Sequence, residues 1–242
     1  MKLTISNLEG YVHNIFITII DIPIVLRGLR LIKIRWHGHS CFEITDGTTL
    51  ITDPHDGKSI GIPAPNVEGD IILVSHDHYD HNSVKSVEKE GSKIITDDRK
   101  RNISNIEIKG IKSFHDENQG EKRGESIIYK FIIDGVTFCH LGDLGHELDE
   151  DAVHRIGNID ILFVPVGGTF TIDAKRAWNV INSIKPKITI PMHYKIGGLS
   201  LPIDGIDPFL EKNTFKTLKV GNEIDIEKED LPNEQEIWTF TL

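Results

Sequence analysis

Asp70-Ile71-Ile72-Leu73-Val74-Ser75 runs directly into His76-Asp77-His78-Tyr79-Asp80-His81. The first half is a short, nearly unbroken apolar run, the pattern of a strand buried on both faces of a sheet. The second half places three imidazoles and a carboxylate at positions i, i+2, i+4 and i+5 from His76. A turn leaving a strand end can aim such alternating side chains into one volume. Imidazole nitrogen and carboxylate oxygen are ligands that borderline divalent metals accept. A surface loop that is merely rich in histidine is the competing reading, but such loops seldom follow a buried strand so closely.

Three more segments have the same form. Ile106–Phe114 ends at His115, Val136–Leu141 ends at Gly142-Asp143, and Lys187–Pro191 ends at Met192-His193. A lone histidine beyond a strand is more often satisfied locally or turned to solvent. Four such segments in one chain point instead to a single site at converging strand ends, where loops carry polar groups without disturbing a core.

The remaining elements surround this pattern. Leu31–Trp36, Cys41–Thr45 and Thr48–Thr52 read as strands, with Asp46-Gly47 as a hairpin turn. Ser126–Ile133 and Val136–His140 form a second hairpin around Asp134-Gly135. Lys93–Thr96, Ile159–Pro165 and Glu236–Phe240 are further strands. Asn82 is expected to cap a helix over 83–90, and Asp173 to cap one through Ile184 with Ala174, Ala177, Trp178 and Ile181 on its apolar face. Hairpins first and βα units later imply a mixed α/β domain with helices covering sheets.

Composition narrows the functions. The 242 residues have 38% hydrophobic and 26% charged side chains, an ordinary globular balance. A net charge of −10 without a basic stripe disfavours a nucleic-acid partner. Cys41 and Cys139 cannot form a disulfide framework and suit a reducing, cytoplasmic setting. Ile15–Leu26 is apolar, but it is shorter than a bilayer span and is broken by Asp21 and Pro23. Residues 1–30 therefore read as an extension, an accessory strand or a flexible segment, ahead of a single domain over 31–242. A membrane partner is not expected; the apolar segment offers a surface for homo-oligomer formation.

The series His-x-His-x-Asp-His, a later histidine, an aspartate in a Gly-Asp step and a final histidine resembles the metallo-β-lactamase superfamily. More narrowly, WHGHS from Trp36, SHDHYDHN from Ser75, HLGDLGH from His140, PVGG from Pro165 and PMHYK from Pro191 resemble its lactonase-like branch, related to L-ascorbate 6-phosphate lactonase. The resemblance covers 31–195 at least. It implies a four-layer αββα sandwich with two divalent metal ions at one edge, zinc first, with manganese or iron as alternatives. One cation would take His76, His78 and His115. The other would take Asp80, His81 and His193, with Asp143 bridging. A hydroxide between the cations would attack a lactone, ester or phosphoester in a small molecule, with Asp80 and Asp143 as the catalytic carboxylates.

Further candidates surround that set. His39 in the first turn is a contact to substrate or to a ligand, or simply turn packing. Asp53 is expected to hydrogen-bond a ligating histidine. Asp116–Glu125 is a polar, flexible-looking segment that could overhang the site as a lid, and its Arg123 could grip an anion. Tyr194 is a hydrogen-bond donor to substrate or a packing residue. His55, His140 and His146 are either pocket-lining or structural. The competing classes are a nuclease or phosphodiesterase of the same superfamily, which would need a basic groove, and a non-catalytic metal-binding or sensing protein. An iron-dependent redox member would need a further electron-carrier domain. The absence of a cysteine from the ligand set speaks against an antibiotic-degrading β-lactamase.

Overall fold

The computed structural model describes residues 31–242; the reading of Ile15–Leu26 and of residues 1–30 lies outside them. The strands in chain order are β1 (Ile32–Trp36), β2 (Phe42–Thr45), β3 (Thr49–Thr52), β4 (Gly69–Leu73), β5 (Glu88–Ile95), β6 (Arg101–Ile103) and β7 (Ile106–Phe114). They continue as β8 (Glu125–Ile133), β9 (Val136–His140), β10 (Ile161–Pro165), β11 (Ile188–Met192), β12 (Lys216–Lys219), β13 (Glu223–Ile226) and β14 (Glu236–Thr239). Helices α1 (Glu150–Ile156), α2 (Ala174–Ile184) and α3 (Asp207–Leu210) complete the set.

Among the described residues the strands form a six-stranded sheet, β13-β1-β2-β3-β4-β5, and an eight-stranded one, β12-β14-β11-β10-β9-β8-β7-β6. The apolar faces of both sheets share one core, with Ile34, Phe42, Ile44 and Leu73 from the first and Ile108, Phe131, Phe138 and Phe163 from the second. Burying those faces against each other is the main favourable term in the fold. The Tyr129 hydroxyl on β8 reaches across, donating to the Val74 carbonyl at 3.0 Å and lying 3.1 Å from that of Ile95. This is the α/β sandwich expected.

Helix α2 is the crossover between the parallel strands β10 and β11. Both strands are buried at every residue, as a sheet covered on two faces requires. Asp173 caps α2 as expected, its carboxylate accepting from the Arg176 N–H at 2.9 Å. Asp134 and Gly135 both have positive φ, 44° and 79°, as a two-residue hairpin loop requires.

The helix expected over 83–90 does not form. Val84–Ser86 is a single 3₁₀ turn, and Glu88 already begins β5. Asn82 does not cap it: its amide donates to the Asp77 carboxylate, and Ser83, at the cap position, makes no side-chain cap. Val87 instead packs with Cys41, Ile51, Ile72 and Val74 on the outer face of the six-stranded sheet. β5 pairs parallel with β4 at the sheet edge, where its exposed Glu88, Lys89, Glu90 and Lys93 deter pairing with a further strand.

Strand direction positions the site. β3 and β4 run parallel, as do β9, β10 and β11, and two antiparallel steps bring β7 into the direction of β9. Two antiparallel steps likewise align β1 with β3. The carboxyl ends of β1, β3 and β4 lie on one sheet and those of β7, β9 and β11 on the other. The Ile127 N–H donates to the Ser75 carbonyl at 2.9 Å, joining the two sets at the rim.

Candidate metal centre

Every residue of the sequence-derived ligand set follows one of these strand ends, and the fold brings their ring nitrogens and carboxylates together. Asp143, directly beyond β9, is central. Its Oδ2 lies 3.3 Å from His81 Nε2, 3.3 Å from His193 Nε2, 3.4 Å from His115 Nε2 and 3.8 Å from His76 Nε2. On one side His76, His78 and His115 form a group; on the other stand His39, Asp80, His81 and His193. Within each group the ligand-type atoms lie within 4.8 Å of one another.

Hydrogen bonds behind the rings fix which nitrogen faces inward. Asp53, at the end of β3, accepts from the Ser75 N–H at 2.7 Å and from the Ser75 hydroxyl at 2.7 Å. The same carboxylate takes the His81 Nδ1–H at 3.0 Å. The Ser75 hydroxyl in turn lies 2.9 Å from His76 Nδ1 and accepts its proton. With Nδ1 of both rings committed, Nε2 is the nitrogen that His76 and His81 turn to the interior. The buried atoms Asp143 Oδ1, His76 Nε2 and His193 Nε2 have no hydrogen-bond partner. Lone pairs converging from imidazoles and a carboxylate repel one another unless a cation lies between them, so the residues present fit a divalent metal.

The electrostatics agree. Burial pushes His39 and His76 down to about 3, so both rings stay neutral at ordinary pH. Burial alone would raise the Asp143 carboxyl, but the facing His193 and His81 outweigh it and hold it well below the usual carboxylate range. His81 goes the other way: burial disfavours its charge, while Asp143 and Asp53 keep its proton well above the usual imidazole value. A pocket that retains a proton beside two carboxylates is one that exchanges it for a metal ion.

Glycines hold the ligand turns close. A Cβ on Gly167 would lie 2.2 Å from the His193 carbonyl oxygen, and one on Gly145 would lie 2.3 Å from the His115 carbonyl carbon. Gly167→Ala therefore forces the His193 turn away from β10. The expected result is a loss of about 1–3 kcal/mol, as for other overpacked sites, with reduced metal content. Denaturant titration and elemental analysis of the purified variant check it; unchanged values would refute the steric argument.

The other candidates fall in different places. Tyr194 packs: its ring stacks on Trp36 at 5.4 Å, and its hydroxyl donates to the Phe240 carbonyl at 3.3 Å, leaving no free donor for substrate. The segment after His115 is tied down rather than loose, because the Asp116 carboxylate accepts from the N–H groups of Asn118, Gly120, Lys122 and Arg123 at 2.7 to 3.1 Å. Arg123 is exposed, with its guanidinium 4.7 Å over the Phe170 ring. Three histidines are structural. His55 donates to the His37 carbonyl, His140 donates to the Ser40 carbonyl, and His146 bridges Ser113 and Glu147. Burial pushes the Cys139 thiol up to about 12, and Cys41 is raised as well, so neither supplies a thiolate. Ser75 and Asp116 were not singled out from sequence. The place of Ser75 between the buried strand and the first histidine was the available signal for its role.

Comparison with known proteins covers the same region. A β-lactamase superfamily domain model matches residues 33–193. A UPF0173 metal-dependent hydrolase of Nanoarchaeum equitans is 32% identical over 201 residues, 73% of this chain and 88% of the relative. One from Thermoplasma acidophilum is 30% identical over 192 residues, 67% of this chain and 83% of the relative. A crystal structure from Thermotoga maritima, of a protein assigned to the Zn-dependent hydrolases of the metallo-β-lactamase superfamily, has 36% identity and a TM-score of 0.71 over 86% of this chain and 98% of that one. The metallo-β-lactamase fold protein YhfI of Bacillus subtilis, at 10% identity and a TM-score of 0.56, matches 86% of this chain and 96% of its own, a likeness of fold alone. With the matched span running from β1 to His193 and so containing every clustered side chain, the chain belongs to the metallo-β-lactamase superfamily.

Proposed function

We propose that this member of the superfamily is a metal-dependent hydrolase with a two-cation centre, acting on a lactone, ester or phosphoester bond in a small molecule. The observation that supports it best is Asp143 Oδ2, within 3.8 Å of four imidazole nitrogens drawn from both groups. One carboxylate reaching both groups suits a bridge between two ions, His76, His78 and His115 holding one and Asp80, His81 and His193 the other. When bound, a pair of divalent cations polarises a carbonyl or phosphoryl oxygen and lowers the pKa of water toward neutrality.

The chain's own side chains set the rest. Burial would raise the Asp80 carboxyl, but the hydrogen bond from His39 and the His81 charge keep it far below the carboxylate range. Asp80 is thus a permanent anion at this site, suited to binding a cation and orienting a nucleophile and too weakly basic to store a proton. Tyr79 within the ligand loop is 55% exposed, and the exposed Arg123 guanidinium lies over the Phe170 ring. A guanidinium on the segment that follows His115 suits a substrate with an anionic end. The resemblance to the lactonase-like branch puts lactones first. The net charge of −10 argues against a polyanionic nucleic acid.

The deciding experiment removes the metal. Full-length protein stripped with a chelator and reloaded with zinc, manganese or iron is assayed on a panel of lactones, carboxyl esters and phosphodiesters. Turnover is expected to vanish on stripping and to return with at least one metal, fastest on a lactone. Hydrolysis that continues in the stripped protein would reject the mechanism.

A further inference from the structure

His39 stands among the interior lone pairs, yet the superfamily pattern above gives it no ligand role. It is fully buried, with 0% exposure. Its Nε2 lies 3.2 Å from Asp80 Oδ2 and 3.2 Å from His81 Nε2, and those two atoms are 3.5 Å apart. His81 has committed its Nδ1–H to Asp53, which leaves Nε2 as the atom it turns toward His39. Nearly equal separations among three ligand-type atoms are the spacing of neighbouring donors on one cation, since atoms bound at about 2.0–2.1 Å stand about 3.0–3.3 Å apart. A single N–H aimed at Asp80 would explain only one of the two short contacts.

The backbone adds an independent argument. His39 has φ 54°, in the left-handed region that residues other than glycine seldom occupy. Asp53, which holds His81 from behind, and His193 share that trait with φ 37° and 52°. Strain of this kind persists where the surroundings over-determine it, and it concentrates at functional positions. Here the His39 carbonyl accepts from the Trp36 indole at 3.2 Å and from the His193 N–H at 3.2 Å. The turn is thereby locked to the one that carries His193, whose ring lies 4.2 Å from that of His39.

We infer that His39 is a direct metal ligand through Nε2, joining Asp80, His81 and His193 as a fourth protein donor beside Asp143. The inference rests on the two-cation reading and makes its halves unequal. The position held by His39, Asp80, His81 and His193 is nearly filled by protein and retains its ion. The position held by His76, His78 and His115 keeps coordination free for water and substrate and exchanges its ion readily.

The test uses the full chain labelled with nitrogen-15 histidine and loaded with cadmium-113. His39 Nε2 is expected to show scalar coupling to cadmium, as do His81 and His193. In parallel, wild type and His39→Asn, chosen because asparagine tolerates the left-handed backbone, are loaded with zinc and dialysed against increasing chelator. Wild type is expected to retain one equivalent after losing the other. The variant is expected to lose that retained ion at a chelator concentration about tenfold lower or more. An uncoupled His39 signal in cadmium-loaded wild type overturns the inference while leaving the two-cation reading intact, and so does unchanged retention by a folded variant. Wild type that binds no metal removes both. Should the variant not fold, the wild-type coupling decides alone.

Discussion

Asp143→Ala is expected to lower kcat/KM by about 1000-fold or more and to leave the purified protein with less than one equivalent of metal. A thousandfold loss corresponds to about 4 kcal/mol of transition-state stabilisation, within the several kcal/mol that metal-ion electrostatics supply. The reason is positional. Among the described residues Asp143 is the one carboxylate whose oxygen lies within 3.8 Å of His76, His81, His115 and His193 together, so in the two-cation reading its removal weakens both positions rather than one. In that reading it also removes a fixed negative charge that would oppose the mutual repulsion of two dications. The small side chain leaves room for water, and the ligand turns are held by other bonds, such as that from the Gly145 N–H to the Phe114 carbonyl. The fold should therefore survive, and circular dichroism should match wild type. Elemental analysis and steady-state kinetics give the reading. Two retained equivalents with activity within tenfold of wild type would show that Asp143 bridges nothing.

How far such residues can be found without coordinates depends on the kind of signal each one leaves. The ligands were legible because each directly follows a buried strand, and the apolar runs of β4, β7, β9 and β11 are unambiguous. Sharing a direction, these strands deliver whatever follows them to the same rim. β5 was not legible. It is an edge strand whose residues Glu88 to Gly91 are all exposed, so it has no alternation to detect, and its charges resemble a polar helix face. β12 and β13 leave no pattern for the same reason, both being short and largely exposed. The roles of Tyr194 and His39 turn on side-chain direction. Tyr194 is adjacent to a clustered histidine in sequence but faces the core, whereas His39 faces Asp80 and His81 from a left-handed turn. Neither direction is written in residue type or spacing.

Asp53 is a case in which a residue outside both ligand groups is expected to control binding, and Asp53→Asn isolates how. The carboxylate is 1% exposed and accepts three hydrogen bonds, from the Ser75 N–H, the Ser75 hydroxyl and His81 Nδ1. Asparagine keeps the size and tolerates φ 37°, so the turn after β3 can persist. Its amide, however, offers a single acceptor oxygen. If that oxygen serves the Ser75 N–H, an NH₂ faces His81 and Nδ1 must accept. The ring then carries its proton on Nε2, the atom facing Asp143 and the ligand group. A protonated nitrogen cannot ligate, so metal affinity is expected to fall about 10–100-fold, as for other partners that orient ligating histidines. Asp53→Ala should do more, leaving the buried Ser75 and His81 donors unpaired and destabilising the fold by about 3–5 kcal/mol, the cost of breaking a buried pair. Zinc competition titrations, denaturant unfolding and the nitrogen-15 shifts of His81 separate the two effects. An Asp53→Asn protein that binds zinc as wild type does, with His81 still protonated on Nδ1, would show that the tautomer is set by something other than Asp53.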